Sequence, residues 1–152
     1  MRTRCWRRWT PVARRRASWA ACWTVWRGAS NCANGTREDT VAKRVLITTD
    51  RLGRGDEELG RLLMRNFCYS LARAEERPAA VMLMNGGVRL ACTGSEVLDD
   101  LGLLVENGVA IRVCGTCLDY LELTDSLAVG EVGTMPGAVE ALLGEDGIVT
   151  IA

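Results

Sequence analysis

Two cysteines three residues apart are the part of this chain best suited to chemistry. Cys114 and Cys117 follow the alternating residues 109–113, which predict a strand, and they open a segment that predicts a helix. Such a turn offers backbone N–H groups and the positive end of a helix dipole, and both favour a thiolate. Because the spacing places both sulfurs on one helix face, we predict that Cys114 accepts a sulfane sulfur and that Cys117 resolves it.

Other interpretations of the cysteine pair remain open. Free cysteines are often small buried side chains of a core, with no chemical role. A four-cysteine zinc site would also need Cys68 and Cys92, which belong to no second C-x-x-C pair, so we expect neither a metal nor a cofactor. A thioredoxin-like dithiol normally follows an early strand, whereas two strand–helix units precede this one.

The composition excludes several classes of function. The chain has no His, which rules out Ser-His-Asp and Cys-His catalysis and metal sites that need imidazole. Its seven Cys and the lack of a convincing signal peptide favour a reducing compartment, so we predict the cytoplasm. No uninterrupted apolar stretch approaches the roughly 18 residues that cross a bilayer, so we expect no membrane partner.

The first 42 residues differ from the rest of the chain. They hold all five Trp and nine Arg against two acids, a net charge of +7, whereas residues 43–152 carry −7. Neither a strand period nor a helix period is present there. We interpret residues 1–42 as an unstructured or mis-translated basic segment, with a targeting peptide as a further alternative. Because the remainder is acidic, we expect no binding of nucleic acid.

Residues 43–152 show regular strand and helix patterns. Asp56 predicts the N-cap of a helix that runs to about Arg73, and Ser95 predicts the cap of a second helix. The first helix has apolar residues at helical spacing: Leu59, Leu62, Leu63, Phe67 and Leu71. Strands separated by helix-length segments require crossovers, which indicates parallel pairing. We predict one α/β domain with three α/β/α layers and a mostly parallel sheet of about five strands. The expected strands lie at residues 45–49, 79–84, 109–113, 129–132 and 148–151, with a last helix near 136–143.

Polar and glycine residues follow the predicted strands and cluster, by this topology, at the same sheet edge as the thiols. We predict that they bind substrate, an anionic sulfur or selenium species, although turn chemistry alone also explains such residue types. The pair Gly53 and Gly55 does not make a dinucleotide site, because Glu58 stands where the third glycine belongs. The predicted substrate-binding residues are Asp50, Asn85, Gly86, Ser95, Gly115 and Thr116.

A series of motifs in fixed order resembles a known family. The motifs are TDRLGRGDEELG at 49–60, NGGV at 85–88, GS at 94–95, NGV at 107–109, CGTCL at 114–118 and VGE at 129–131. Together they resemble the carboxyl-terminal DsrE-like domain of YedF-type proteins over about residues 43–152. The resemblance implies a parallel-sheet α/β fold, homo-oligomers, a persulfide on the position matched by Cys114, and a sulfurtransferase-like role linked to selenium metabolism.

The chain departs from that family at its amino-terminal side. YedF-type proteins usually carry a SirA-like domain with a Cys-Pro motif there, whereas the three prolines here follow Thr10, Arg77 and Met135. The resemblance therefore implies sulfur or selenium donor and acceptor proteins that act in trans. The alternative is a non-catalytic, oligomeric interaction or regulatory module, favoured by the missing domain and by Asp119, whose charge near the thiols opposes ionisation.

Overall fold

Five strands alternate with helices along the part of the chain that the computed structural model describes, residues 43–144 and 147–152. The interpretation of residues 1–42 lies outside these described residues. The elements are β1 Arg44–Ile47, α1 Glu57–Ala72, β2 Ala80–Leu83, a 3-10 helix Asn85–Ala91, α2 Leu98–Glu106, β3 Ala110–Cys114, α3 Gly115–Tyr120, a short 3-10 helix Thr124–Ser126, β4 Glu131–Gly133, α4 Met135–Leu143 and β5 Ile148–Ile151.

All five strands run parallel in the order β4-β3-β2-β1-β5. This confirms the predicted α/β/α class. The chain steps in one direction from β1 to β4, and then crosses the whole sheet to place β5 beside β1. Because crossovers between parallel strands are right-handed, this reversal puts α4 on the face opposite α1, α2 and α3. Among the described residues, three helices thus cover one face of the sheet and α4 covers the other.

The face under α1, α2 and α3, called here the packed face, contains the core. Strand residues at alternate positions are sealed there, such as Ile47, Val81 and Val113, each with no exposed surface. They pack with Met64 of α1, Leu104 of α2 and Leu118 of α3 in one apolar cluster. The opposite face, called the α4 face, differs because no residue of α4 is buried.

Helix α1 begins and ends where the sequence predicts. The Asp56 carboxylate accepts a hydrogen bond from the Leu59 N–H at 2.8 Å, which confirms the N-cap. The buried stripe, however, is not the leucine stripe that set the helical pattern. Gly60, Met64, Cys68 and Ala72 face the sheet, whereas Leu59, Leu62 and Leu63 are 52, 38 and 40 % exposed.

The start of α2 corrects a sequence prediction. Ser95 does not cap the helix, because the cap position is Val97 and the Ser95 hydroxyl instead accepts a hydrogen bond from the Val97 N–H at 3.4 Å. The helix buries Leu101 and Leu104, while Val105 is exposed. Ser95 therefore stabilises the turn before the helix and does not cap the helix itself.

Candidate functional site

Cys114 is the last residue of β3 and belongs to the α4 face. Side chains alternate along a strand, and Ile111 and Val113 are buried on the packed face, so Cys114 points with Arg112 to the other side. Only 6 % of Cys114 is exposed. It lines a cavity of about 410 Å³ between the sheet and α4. Its thiol therefore faces an internal space and not bulk solvent.

Cys117 lies one turn later in α3 and is half-buried. Its sulfur accepts a hydrogen bond from the backbone N–H of Asn85 at 3.2 Å. Asn85 begins the 3-10 helix that follows β2. It holds a positive φ of 48°, a conformation that Asn tolerates better than most residues. The carboxyl ends of β2 and β3 thus bring this amide to the thiol, as the topology predicts.

The two thiols are near enough to interact, because Cys114 contributes to the raised pKa of Cys117. Both cysteines are free thiols. The spacing of three residues thus brings the thiols together as the sequence predicts. This geometry allows a sulfur atom or a disulfide bond to pass between them without a change of the backbone.

The electrostatics of Cys117 oppose the thiolate form of that residue. Burial raises the pKa of the Cys117 thiol above its ordinary value of 9.0, the Asn85 N–H opposes this rise, and the neighbouring Cys114 adds to it. Cys114 occupies the N-cap position of α3, but no side-chain hydrogen bond caps that helix. Cys117 therefore holds its proton more firmly than an ordinary thiol.

Gly115 and Thr116 connect the two cysteines. A side chain at Gly115 would place its Cβ 2.9 Å from Cγ1 of Val132, so glycine lets the turn pass close to β4. Thr116 is exposed. Gly115 therefore has a positioning role in the geometry of the turn, and Thr116 borders the dithiol on the solvent side.

The remaining predicted binding residues do not all meet at the thiols. Gly86 lies beside Asp50, since a Cβ there would stand 3.8 Å from an Asp50 carboxylate oxygen. Asp50 and Ser95 instead line a second cavity, of about 330 Å³, together with Arg89. The carboxylate, the hydroxyl and the cation thus share a site whose lining includes neither Cys114 nor Cys117.

The other two cysteines of the described domain are core residues. Cys68 is fully buried, and burial followed by the charge of Asp100 raises its pKa to about 11. Cys92 is 3 % exposed and its thiol donates to the Val88 carbonyl at 3.2 Å. Within residues 43–144 and 147–152, no group of three or more His, Cys, Asp or Glu is placed to hold a metal ion.

Sequence analysis missed the residues that form the cavity next to Cys114. Met82 and Met84 line it from the β2 side, and Ala138 and Ala141 line it from α4. The spacing of three between the two alanines was the available signal, because it puts two small side chains on one face of a helix. Without knowing on which face of the sheet α4 lies, that signal does not predict a cavity.

Comparisons with known proteins place the fold. No family model matches the chain. No curated protein matches it. Solved structures do match, among them the ychN protein from E. coli at 19 % identity and a TM-score of 0.53, covering 72 % of this chain and 99 % of that one. MTH1491 from Methanobacterium thermoautotrophicum, titled a protein of unknown function, matches at 23 % identity and 0.50, with coverages of 71 % and 98 %.

A third match is BT1422 from Bacteroides thetaiotaomicron, also titled a conserved protein of unknown function, at 13 % identity, a TM-score of 0.52, and coverages of 75 % and 99 %. This chain shares their fold. The likeness supports the three-layer α/β/α fold that the sequence predicts, and at these identities it supports the fold alone. Within the described part of the chain, no helix has the length and apolar character to cross a membrane.

Proposed function

We propose that this domain carries sulfane sulfur, or selenium, as a persulfide or perselenide on Cys114, and that Cys117 is the resolving thiol. One observation carries the proposal: two free thiols, Cys114 and Cys117, lie one helical turn apart at the carboxyl edge of a parallel sheet, and Cys114 lines a cavity there. The Asn85 N–H at 3.2 Å from the Cys117 sulfur supplies a donor that stabilises negative charge as it develops there.

The step between the two thiols needs no oxidant. The sulfur of Cys117 attacks the outer sulfur of the Cys114 persulfide, a new S–S bond forms to Cys117, and the bond from Cys114 to that outer sulfur breaks. The proton of Cys117 passes to Cys114, which returns to a thiol. Since the pKa of Cys117 is raised, this step accelerates as the pH rises.

The family resemblance supplies the wider setting of the proposal. In line with YedF-type proteins, we place the domain in a sulfur or selenium relay in the cytoplasm, with donor and acceptor proteins that act in trans. Cys117 is the more exposed of the two thiols, so we assign it to the side from which an acceptor takes the sulfur. The half-buried position of Cys117 still requires the acceptor thiol to approach closely.

Mass spectrometry of digested protein after exposure to a sulfane sulfur donor tests this function. We expect added sulfur on the peptide that carries Cys114, loss of that signal in Cys114→Ser, and its accumulation in Cys117→Ser because the resolving thiol is gone. Peptides with Cys68 and Cys92 are internal controls, because both side chains are core residues. Sulfur that maps only to cysteines of residues 1–42 would contradict the proposal.

A second candidate is a non-catalytic interaction or regulatory module. The raised pKa of Cys117 favours it, since a protonated thiol is a weak nucleophile at neutral pH. Asp119 adds little to this argument, because its carboxylate is engaged by a hydrogen bond from the Thr124 hydroxyl at 2.8 Å. Full activity of Cys114→Ser in a selenium-dependent assay would favour this candidate over the carrier.

The predicted homo-oligomer remains a proposal. Its support is the outer surface of α4, where Val139, Leu142 and Leu143 are 45, 39 and 81 % exposed. Exposed apolar clusters of this kind often mark interfaces. Sedimentation equilibrium should give a mass above that of one chain, and Leu143→Glu should shift it toward one chain. A monomer at all concentrations would contradict the proposal.

A further inference from the structure

The space beside Cys114 has the size of a small-molecule site. Its volume of about 410 Å³ falls within the usual range for ligand pockets, roughly 300–1,000 Å³. It lies between α4 and the strands β2 and β3, and Cys114 forms part of its wall. Because Cys114 forms part of the wall, a reactant that fills this space lies directly against the residue.

The walls of this cavity are apolar. Met82 and Met84 line it on the β2 side. Gly137, Ala138 and Ala141 line it on the α4 side. Arg112 is the one charged residue among the described residues that line it, and Arg112 is paired with Glu131. An anion in this space would lose its hydration without gaining an unpaired cation, which is unfavourable.

The second cavity has the opposite character. It is lined by Arg61, Arg65 and Arg89, together with Asp50 and Glu96. Arg89 forms no ion pair with the described residues; burial raises the pKa of Cys92, and the charge of Arg89 partly offsets that rise. Small anions therefore fit this second cavity better, but the cysteine there is buried and its thiol donates to the Val88 carbonyl.

From this contrast we infer that the cavity between the sheet and α4 binds an uncharged, apolar organic hydropersulfide, R–S–SH, and that this compound loads Cys114. The inference rests on the proposed carrier function and names its donor class. It replaces the anionic sulfur species expected from the sequence. Acceptor proteins then take the sulfur from the Cys117 side, so loading and unloading occur at different surfaces.

The loading step balances without a further reactant. The Cys114 sulfur attacks the outer sulfur of R–S–SH, the S–S bond of the donor breaks, and R–S⁻ leaves with the proton that Cys114 releases, giving R–SH and the Cys114 persulfide. An apolar environment disfavours the charged form of an acid. The cavity therefore holds the donor as R–S–SH, which is the electrophile, and not as R–S–S⁻, which is a nucleophile.

Two thiol reagents with the same reactive group test the inference on the full chain. Methyl methanethiosulfonate is uncharged, and 2-sulfonatoethyl methanethiosulfonate carries a sulfonate. Cys114 is measured in Cys117→Ser and Cys117 in Cys114→Ser, so that no disulfide forms between them. We expect the ratio of uncharged to anionic rates to be at least about tenfold larger at Cys114, because the anion must lose its hydration there.

Filling the cavity gives the matched control. Ala138→Leu adds its side chain to the lining, whereas Glu140→Leu adds the same side chain at an exposed position of the same helix. Ala138→Leu should slow the uncharged reagent at Cys114 by about tenfold through steric exclusion and leave Cys117 unchanged, while Glu140→Leu leaves both rates unchanged. If Ala138→Leu fails to fold, Ala141→Leu takes its place. The ratio of uncharged to anionic rates, measured without a cavity-filling substitution, tests the inference independently of both variants.

The outcomes separate this inference from the proposed function. Equal preference at Cys114 and Cys117, or no reaction at Cys114 with either reagent, would overturn the apolar site. Thiosulfate that loads Cys114 as fast as an aryl hydropersulfide would overturn it as well, while leaving the carrier function intact. A preference of Cys114 for the uncharged reagent, with no persulfide found on Cys114, would support the apolar site and contradict the carrier function.

Discussion

The two faces of the sheet hold cysteines of different character. On the packed face, Cys68 is fully buried among the residues of three helices, and burial raises its pKa to about 11. On the α4 face, Cys114 borders an apolar cavity, and the nine-residue α4 is the helix of the described residues that covers that side of the sheet. The difference shows that the crossover from β4 to β5, which places α4 on the second face, leaves Cys114 beside a cavity while Cys68 lies inside the core.

The largest expected effect separates the faces by their contribution to stability. Leu104 is fully buried on the packed face and Leu142 is 39 % exposed on α4. Leu104→Ala should lower the free energy of unfolding by about 2–5 kcal/mol, because it leaves a cavity in a close-packed core. Leu142→Ala should cost less than about 1 kcal/mol in the same urea titration. Equal costs would mean that α4 is packed as tightly as α2.

Alkaline pH should weaken the packed face through Cys68. The unfolded thiol ionises from its ordinary pKa of 9.0, whereas the folded one keeps its proton until about 11. Stability is therefore fully present below pH 9 and falls as the pH rises to 11, by about 2–3 kcal/mol at roughly 1.4 kcal/mol per unit. Urea titrations under reducing conditions should show a shallower decline in Cys68→Ala. An unchanged slope in that variant would contradict the assignment.

A matched pair of alanine substitutions sharpens the contrast in packing. Ala72 is 2 % exposed on the packed face, while Ala138 lines the cavity. Ala72→Leu should destabilise the domain by about 1–3 kcal/mol through overpacking. Ala138→Leu should change stability by less than about 0.5 kcal/mol, since the cavity accepts the added atoms. Thermal unfolding of both variants measures the difference, and a large loss from Ala138→Leu would mean that the space is not there.

The smallest expected effect concerns the coupling of the two thiols. The neighbouring Cys114 helps to raise the pKa of Cys117, so Cys114→Ala should lower that pKa. The rate of Cys117 alkylation by iodoacetamide, followed against pH, should rise with a midpoint above that of an ordinary thiol and shift to lower pH in the variant. A midpoint that does not move would indicate that the sulfurs are not in contact.

Much of this arrangement follows from the sequence, and the rest depends on tertiary placement. The Asp56 cap, the five strands and the junction that carries Cys114 and Cys117 are local patterns, and the structure confirms them. Sequence reasoning assigned the leucines of α1 to the helical pattern, but Gly60 faces inward instead. A Cβ there would lie 3.2 Å from the Arg51 Cβ, so close approach of the loop after β1 selects the small residue.

Long-range placement determines which of the predicted site residues lie near the thiols. Asp50 and Ser95 follow the pattern of sheet-edge residues, yet they line the second cavity, because the segment before α2 turns toward α1 and not toward β3. The tight turn at NGGV is a further case: a side chain at Gly87 would overlap the Ile47 carbonyl oxygen. Such contacts join residues some forty positions apart, and no local pattern encodes which loop a strand end will meet.

One digest of sulfur-loaded protein tests the central claim most directly. The folded chain is incubated with a sulfane sulfur donor, trapped with an alkylating reagent, and mapped at each cysteine. The account predicts added sulfur at Cys114 and Cys117, and none at Cys68 or Cys92 until urea unfolds the domain. Sulfur at the two core cysteines of the folded protein, or its absence from Cys114, would contradict the assignment of chemistry to the α4 face.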